Sequence, residues 1–288
     1  MKPLALYPIR AIRRKNIGEA ILLSLFFRHG QILAVTLPPN SLSDIKSYEG
    51  WKVFVRDQKL NLAFDQGLNH EFETLVLSAE FLITTSITEG FGFSFLEPWL
   101  YEKLIWGRKL PDICRDFTAN GLRLEHLYNG LFVPADWVGL QRFNQKWTAC
   151  VLNACTRFNL PTNKALILKA LDSITKDGLI DFGILDEAAQ KKVIVRLISS
   201  RKAADKLIQI NPFLSDPGMV SDKNERILTN KRIVQEYYNP KIYRQRMLDL
   251  YDKVTTTPVK QRIDKTALAT AFLKLEEFSL LKWGEYVA

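Results

Sequence analysis

Histidine and cysteine are scarce in this chain. Three histidines (His29, His70, His126) and three cysteines (Cys114, Cys150, Cys155) are spread through 288 residues. No two cysteines form a CxxC pair, and no His/Cys cluster has metal-ligand spacing. The odd count offers no disulfide framework, so a reducing, cytoplasmic setting without a bound metal is expected. Asp-x-Asp is missing too. Long apolar runs are also lacking. The first, Ile17 to Phe27, has eleven residues and carries Glu19, whereas a bilayer span needs about twenty. It reads as a buried helix. No secretory signal is visible, and membrane contact is expected to be peripheral at most. There is no internal repeat and no low-complexity tract.

What is present is an ordinary globular composition, 47% hydrophobic and 25% charged, with a net charge of +9. That excludes disorder as the default and leaves room for a sizeable core. The basic balance favours anionic partners such as phosphates, nucleotides or nucleic acid, unless it is only a solvated surface.

The first half alternates short apolar runs with amphipathic stretches. Strands are expected at Leu4–Tyr7, Gln31–Leu37, Leu60–Phe64, Phe81–Ser86 and Leu104–Trp106. Helices are expected between them, at Asn16–His29, Ser43–Gln58, Asn69–Ala79 and from Ser94 to Glu102. This is the pattern of a parallel, Rossmann-like sheet covered by helices, and such sheets bind ligands at the carboxyl ends of their strands. The period-2 signal then fades. Helical stretches follow at Gln141–Phe158, Asn163–Ile174, Glu187–Ile208, Lys223–Tyr237, Lys241–Val254 and Thr266–Leu281, with breaks at Pro161, Pro212 to Pro217 and Pro240. The expected organisation is an α/β nucleotide-binding domain over 1–139 and a mainly helical region over 140–288.

Two post-strand loops carry candidate chemistry. Thr88-Glu89-Gly90-Phe91-Gly92-Phe93-Ser94-Phe95-Leu96-Glu97 runs from the fourth strand into a helix. Glycines at such a turn admit a ligand to the backbone, and a helix N-terminus suits a diphosphate. The flanking carboxylates Glu89 and Glu97 are suited to sugar hydroxyls. A plainer reading makes Ser94-x-x-Glu97 a capping box and the glycines a tight turn. Tyr7-Pro8-Ile9-Arg10-Ala11-Ile12-Arg13-Arg14-Lys15-Asn16 follows the first strand and holds four cations in six positions. It is either a phosphate pocket or a solvated basic loop; a nucleic-acid patch is disfavoured because the run is short. Arg108, in Gly107-Arg108-Lys109, is read as a surface-loop residue or a further phosphate contact. His126 is read as structural, and Tyr48, Trp51 and Phe54 as core.

Glu89 and Glu97, with seven residues between them, resemble the E-x7-E signature of family-four GT-B glycosyltransferases (glycosyl transferases group 1). Arg10 and Lys15, five apart after the first strand, resemble that family's diphosphate-gripping Arg/Lys pair. The resemblance covers roughly 4–137, the donor-binding C-terminal domain of such enzymes, and is looser over 226–254, which resembles their closing helices. It implies a retaining, metal-independent, hexosyltransferase-type enzyme that uses a UDP-, GDP- or ADP-sugar as donor substrate and no cofactor. Arg10 and Lys15 would hold the diphosphate, Glu89 would face the donor sugar, the backbone at Gly90, Phe91 and Gly92 would approach the phosphates, and Glu97 would bind the ribose. Two departures stand out. Bulky residues from Pro98 to Trp106 replace the family's small-residue segment, and no second α/β domain is present for the acceptor. Either the acceptor domain is a separate acceptor-binding polypeptide, or this chain is a fragment, or the helical region substitutes for it, and the first two are favoured. The alternative is a non-catalytic nucleotide-sugar-binding module or scaffold that assists a separate acceptor-binding chain.

Overall fold

A computed structural model describes residues 3–257 and 262–286. Five strands form one sheet: β1 (Leu4–Arg10), β2 (Ile32–Leu37), β3 (Leu62–Ala63), β4 (Phe81–Thr84) and β5 (Leu104–Gly107). They are all parallel, in the order β3-β2-β1-β4-β5. β4 is buried at every position and β1 at four of seven, as a sheet covered on both faces requires. The covering helices are α1 (Ile17–Ser24), α2 (Leu42–Asp57), α3 (Phe72–Ser78), α4 (Glu97–Leu100) and α5 (Pro111–Ala119). The expected α/β architecture with a helical region after it is what the structure shows.

The strand order fixes the site. The chain runs β1, β2, β3 towards one edge, then returns to lay β4 on the other side of β1 and adds β5 beyond it. The order therefore reverses between β1 and β4, which pair at Ala5↔Phe81 and Leu6↔Leu82. Clefts in open α/β sheets form at such a reversal, outside the carboxyl ends of the strands. The two loops that open there are the basic run after β1 and the glycine loop after β4.

The second half is more broken than its periodicity predicts. After β6 (Phe132–Pro134) and α6 (Ala135–Val138) come α7 (Leu140–Arg157) and α8 (Lys164–Ile174). A strand, β7 (Leu179–Asp181), then pairs antiparallel with β6. The expected helix 187–208 is two helices, α9 (Glu187–Ser199) and α10 (Arg201–Ile210). Ser200 between them is extended, and its hydroxyl accepts from Ala203 N as a cap. α11 (Lys223–Tyr237) and α12 (Pro240–Thr256) lie close to expectation. The expected helix 266–281 is α13 (Lys265–Leu273), a 3-10 turn (Leu275–Glu277) and α14 (Leu280–Trp283), broken where Lys274 adopts φ +35°.

One hydrophobic cluster runs from Ala5 and Tyr7 through Trp99, Trp147 and Ile194 to Phe278 and Leu280. Tyr48, Trp51 and Phe54 are buried in it, as their spacing implied. α9 packs on α1, and α14 packs on the turn that follows β1. Among the described residues, no helix is long and apolar enough to cross a membrane.

Candidate functional site

The basic run does not behave as one patch. Arg10 ends β1, is exposed, and donates from Nη1 to the Pro38 carbonyl at 3.0 Å. The chain then makes a 3-10 turn over Arg13–Lys15. Asn16 follows at φ +54°, a conformation that asparagine tolerates better than most residues, and α1 begins. This turn splits its three cations. Arg13 grips Glu187 of α9 through Nε–Oε1 at 2.6 Å and Nη2–Oε2 at 2.9 Å, and also donates to the Gly284 carbonyl. It staples the turn to the helical region and to the C-terminal segment. Arg14 and Lys15 face the other way, towards β4.

There they meet Glu89. The Lys15 ammonium forms an ion pair with Glu89 Oε1. Arg14 Nη1 donates to the Thr88 carbonyl at 2.8 Å and to Glu89 Oε2 at 3.3 Å. The Glu89 side chain is only 9% exposed, so its charge is compensated by two cations from a loop 74 residues earlier. Tyr7 and Thr85 lock this geometry. The Tyr7 hydroxyl donates to the Lys15 carbonyl at 2.5 Å, and Thr85 Oγ1 donates to the carbonyls of Lys15 and Asn16 at 3.0 Å. Burial raises the Tyr7 phenol far above its ordinary range, which keeps it a neutral donor.

Glu89, Thr88 and Ile87 form one wall of a cleft of about 810 Å³. Lys109 to Ile113, after β5, form the floor. The helical region adds Lys176, Asp177, Leu179, Phe272 to Lys274, Lys282 and Trp283 to the lining. Its size fits a nucleotide-scale ligand. Both signs of charge line it, among them Glu89, Asp112 and Asp181 against Lys109, Lys274 and Lys282.

The rest of the glycine loop lies outside this cleft. Gly90 is exposed with open space beside it. Phe91 and Phe93 are 51% and 59% exposed, with ring centroids 4.7 Å apart. Gly92 has φ +88°, and a Cβ there would stand 2.4 Å from Ile113 Cγ2 and 3.2 Å from Phe117. Gly92→Ala should therefore destabilise the protein by about 1–3 kcal/mol, from left-handed strain plus the clash. A thermal melt checks this; an unchanged midpoint would show that the loop re-forms without strain.

Glu97 is the first residue of α4, exposed, with no hydrogen-bond partner among the described residues. Partial burial raises its carboxyl above the usual range. The capping box is not made: Ser94 Oγ is buried without a partner, and Leu96 rather than Ser94 is the N-cap of α4. The helix expected over 94–102 is a 3-10 turn (Phe93–Phe95) and a four-residue helix. So short a helix adds little dipole to the cradle. The helix ends before Glu102, which takes φ +54°.

Sequence reading missed the polar network in the lining of the cleft. Arg108 lines the cleft but is not a surface-loop residue. It is 5% exposed and holds two carboxylates. Its Nε and Nη2 bind Glu19 at 2.9 and 2.6 Å, and its Nη1 and Nη2 bind Asp181 at 2.7 and 2.6 Å. The Tyr128 hydroxyl donates to Glu19 at 2.8 Å. Burial alone would lower the guanidinium pKa; Asp181 and Glu19 outweigh it and hold the group protonated. The signal in the sequence was Glu19, a lone acid in an apolar helix, which demands a buried cation. His126 is structural, as expected. Its Nε2 lies 2.8 Å from the Ile105 carbonyl, and burial pushes its pKa down to about 4.

A parallel α/β sheet with a cleft of mixed charge at its order reversal is a ligand-binding arrangement shared by many activities. No family model matches the chain. It is similar to mannosylglucosyl-3-phosphoglycerate synthase of Petrotoga mobilis, with 25% identity over 306 residues, covering 96% of this chain and 55% of the relative. The chain thus spans about half the length of that curated relative. Among solved structures it resembles TarM, with a TM-score of 0.45 at 12% identity over 87% of this chain and 35% of TarM. A second TarM structure, from S. aureus and in complex with fondaparinux, α-GlcNAc-glycerol and UDP, aligns with a TM-score of 0.37 at 12% identity over 87% of this chain and 36% of that one.

Proposed function

We propose that this chain is the donor-binding half of a retaining glycosyltransferase that moves a hexosyl unit from a UDP-, GDP- or ADP-sugar. The observation that carries this reading is the meeting of Lys15 and Arg14 with Glu89 at the order reversal of the sheet, beside a cleft of nucleotide size. The name of the Petrotoga mobilis relative, which describes a product bearing two sugar units, supports it.

In this reading Lys15 and Arg14 neutralise the departing nucleoside diphosphate, the electrostatic part of the catalysis. Arg10 stands on the same carboxyl edge of the sheet, one strand end away, and adds charge at longer range. Glu89 accepts hydrogen bonds from donor-sugar hydroxyls beside its two cation partners. The roles that the family resemblance gives to Gly90, Phe91 and Gly92 at the phosphates and to Glu97 at the ribose rest on that resemblance alone, since none of the four lines the cleft. The acceptor is held by a further domain or a separate polypeptide set against the cleft.

Calorimetry with UDP, GDP and ADP, without added metal, tests this. Lys15→Ala should weaken the preferred nucleoside diphosphate by at least tenfold, since a charge-assisted contact is worth roughly 1.5–3 kcal/mol. Arg10→Ala should weaken it less. Unchanged affinity in both variants would remove the diphosphate assignment.

A further inference from the structure

The segment 262–286 matches nothing in the family resemblance, yet it returns to the site. α14 packs on the turn Arg13–Lys15. It is held there by Arg13, which donates to the carbonyls of Gly284 and Leu280. This docking places Lys282 in the lining of the cleft that Glu89 also lines. The Lys282 ammonium lies 4.5 Å from the centroid of Phe272 and 4.8 Å from that of Trp283, two rings that fix its position without neutralising it.

Its electrostatic situation is unusual. Among the described residues no carboxylate forms an ion pair with it; Glu277, the nearest acid that acts on it, pairs instead with Lys274. The neighbouring charge that opposes it is Arg14. Arg14 and Lys15 already share the single carboxylate of Glu89. Lys282 therefore adds to the cleft lining a cation that no carboxylate among the described residues pairs, next to the turn that carries Arg14 and Lys15, and such a cation is suited to an anion. Partial burial, and then Arg14, hold the Lys282 ammonium below its usual pKa. A bound anion would reverse that.

We infer that Lys282, brought in by the C-terminal segment, is a third phosphate-binding cation that completes the anion site of Arg14 and Lys15. The inference rests on the diphosphate reading given above, and it names a binding residue that neither motif contains. The aromatic shelf of Phe272 and Trp283 orders the ammonium beforehand, so little side-chain freedom remains to be lost on binding.

The test is calorimetry of the full chain with the preferred nucleoside diphosphate, the matching unphosphorylated nucleoside, and inorganic pyrophosphate. Lys282→Ala should weaken the nucleoside diphosphate and pyrophosphate about tenfold and leave the nucleoside unchanged. Lys282→Arg should restore most of the affinity, because the charge is kept. The slope of affinity against salt should fall in the alanine variant, which loss of packing alone would not cause. Lys274→Ala, in the same lining but paired with Asp112, should change little. If Lys15→Ala loses affinity and Lys282→Ala does not, this inference is overturned and the diphosphate reading stands. If neither variant differs from the wild type, or the wild type binds no diphosphate, both fall together.

Discussion

Arg108→Ala should be the most damaging single substitution in the protein, costing about 3–5 kcal/mol of stability, because it strands buried carboxylates. Glu19 is fully buried and Asp181 is 23% exposed on its side chain, and both depend on this one guanidinium. Two acids sharing one base leave a net negative charge in the interior. Burial raises the Glu19 carboxyl above the usual range even with Arg108 in place. Its folded pKa is thus above its unfolded one. The stability tied to this group is complete at acid pH and is lost as pH rises through the folded value. Removing Arg108 takes away the main restraint and raises the Glu19 pKa further. The deficit of the variant should therefore be smaller near about pH 5 than near about pH 8. Denaturant melts at the two pH values measure it. An equal deficit at both would mean that Glu19 is not the stranded group. Replacing Arg108 and Glu19 together by apolar residues of similar volume should cost less than Arg108→Ala alone, since no charge is then orphaned at that position.

The second large effect is expected at Glu89, in a form that separates sugar from phosphate. In the structure its carboxylate occupies Lys15 and Arg14. It is an internal anion in the place where a diphosphate would draw on the same cations. Glu89→Gln keeps the shape and removes the charge. Binding of the bare nucleoside diphosphate should then hold or tighten, because Lys15 loses a competitor. Binding of the nucleotide sugar should gain nothing from its sugar, because the acceptor for its hydroxyls is weakened. Transfer, with an acceptor-binding partner present, should fall about hundredfold, the loss of one or two charge-assisted hydrogen bonds. Calorimetry with both ligands reads the effect directly. Equal weakening of the two would place Glu89 among the structural residues of the turn.

How much of this was legible in the sequence depended on the range of the interactions. The sheet was legible because each strand is a short apolar run closed by turn residues and each covering helix has its own period. β4, Phe81–Thr84, is wholly apolar or β-branched and packs on both faces. The short strands β6 and β7 were not legible. Phe132–Pro134 has three residues and a proline, and its partner lies about fifty residues on. No period can be read in so little chain. The break at Lys274 was hidden for another reason, since a lysine at positive φ carries no local mark. In the site, the loops were found but the division of labour within them was not. Arg10, Arg13, Arg14 and Lys15 look alike along the chain. Which of them is consumed by structure is decided by Glu187, 174 residues away. Arg108 was misread for the same cause, its two partners lying 89 and 73 residues off.

That staple also has a consequence for the order of events in synthesis. Arg13 emerges from the ribosome 271 positions ahead of Gly284, whose carbonyl it binds. Until Gly284 is out, the staple cannot form and the side chains of the basic turn have no fixed assignment. Closing a loop of that length comes late in folding, because the entropy of bringing its ends together must be met before the contact can repay it. The nascent chain thus carries an open, unselective cluster of positive charge. Its cations are sorted only once the segment that holds Gly284 has followed.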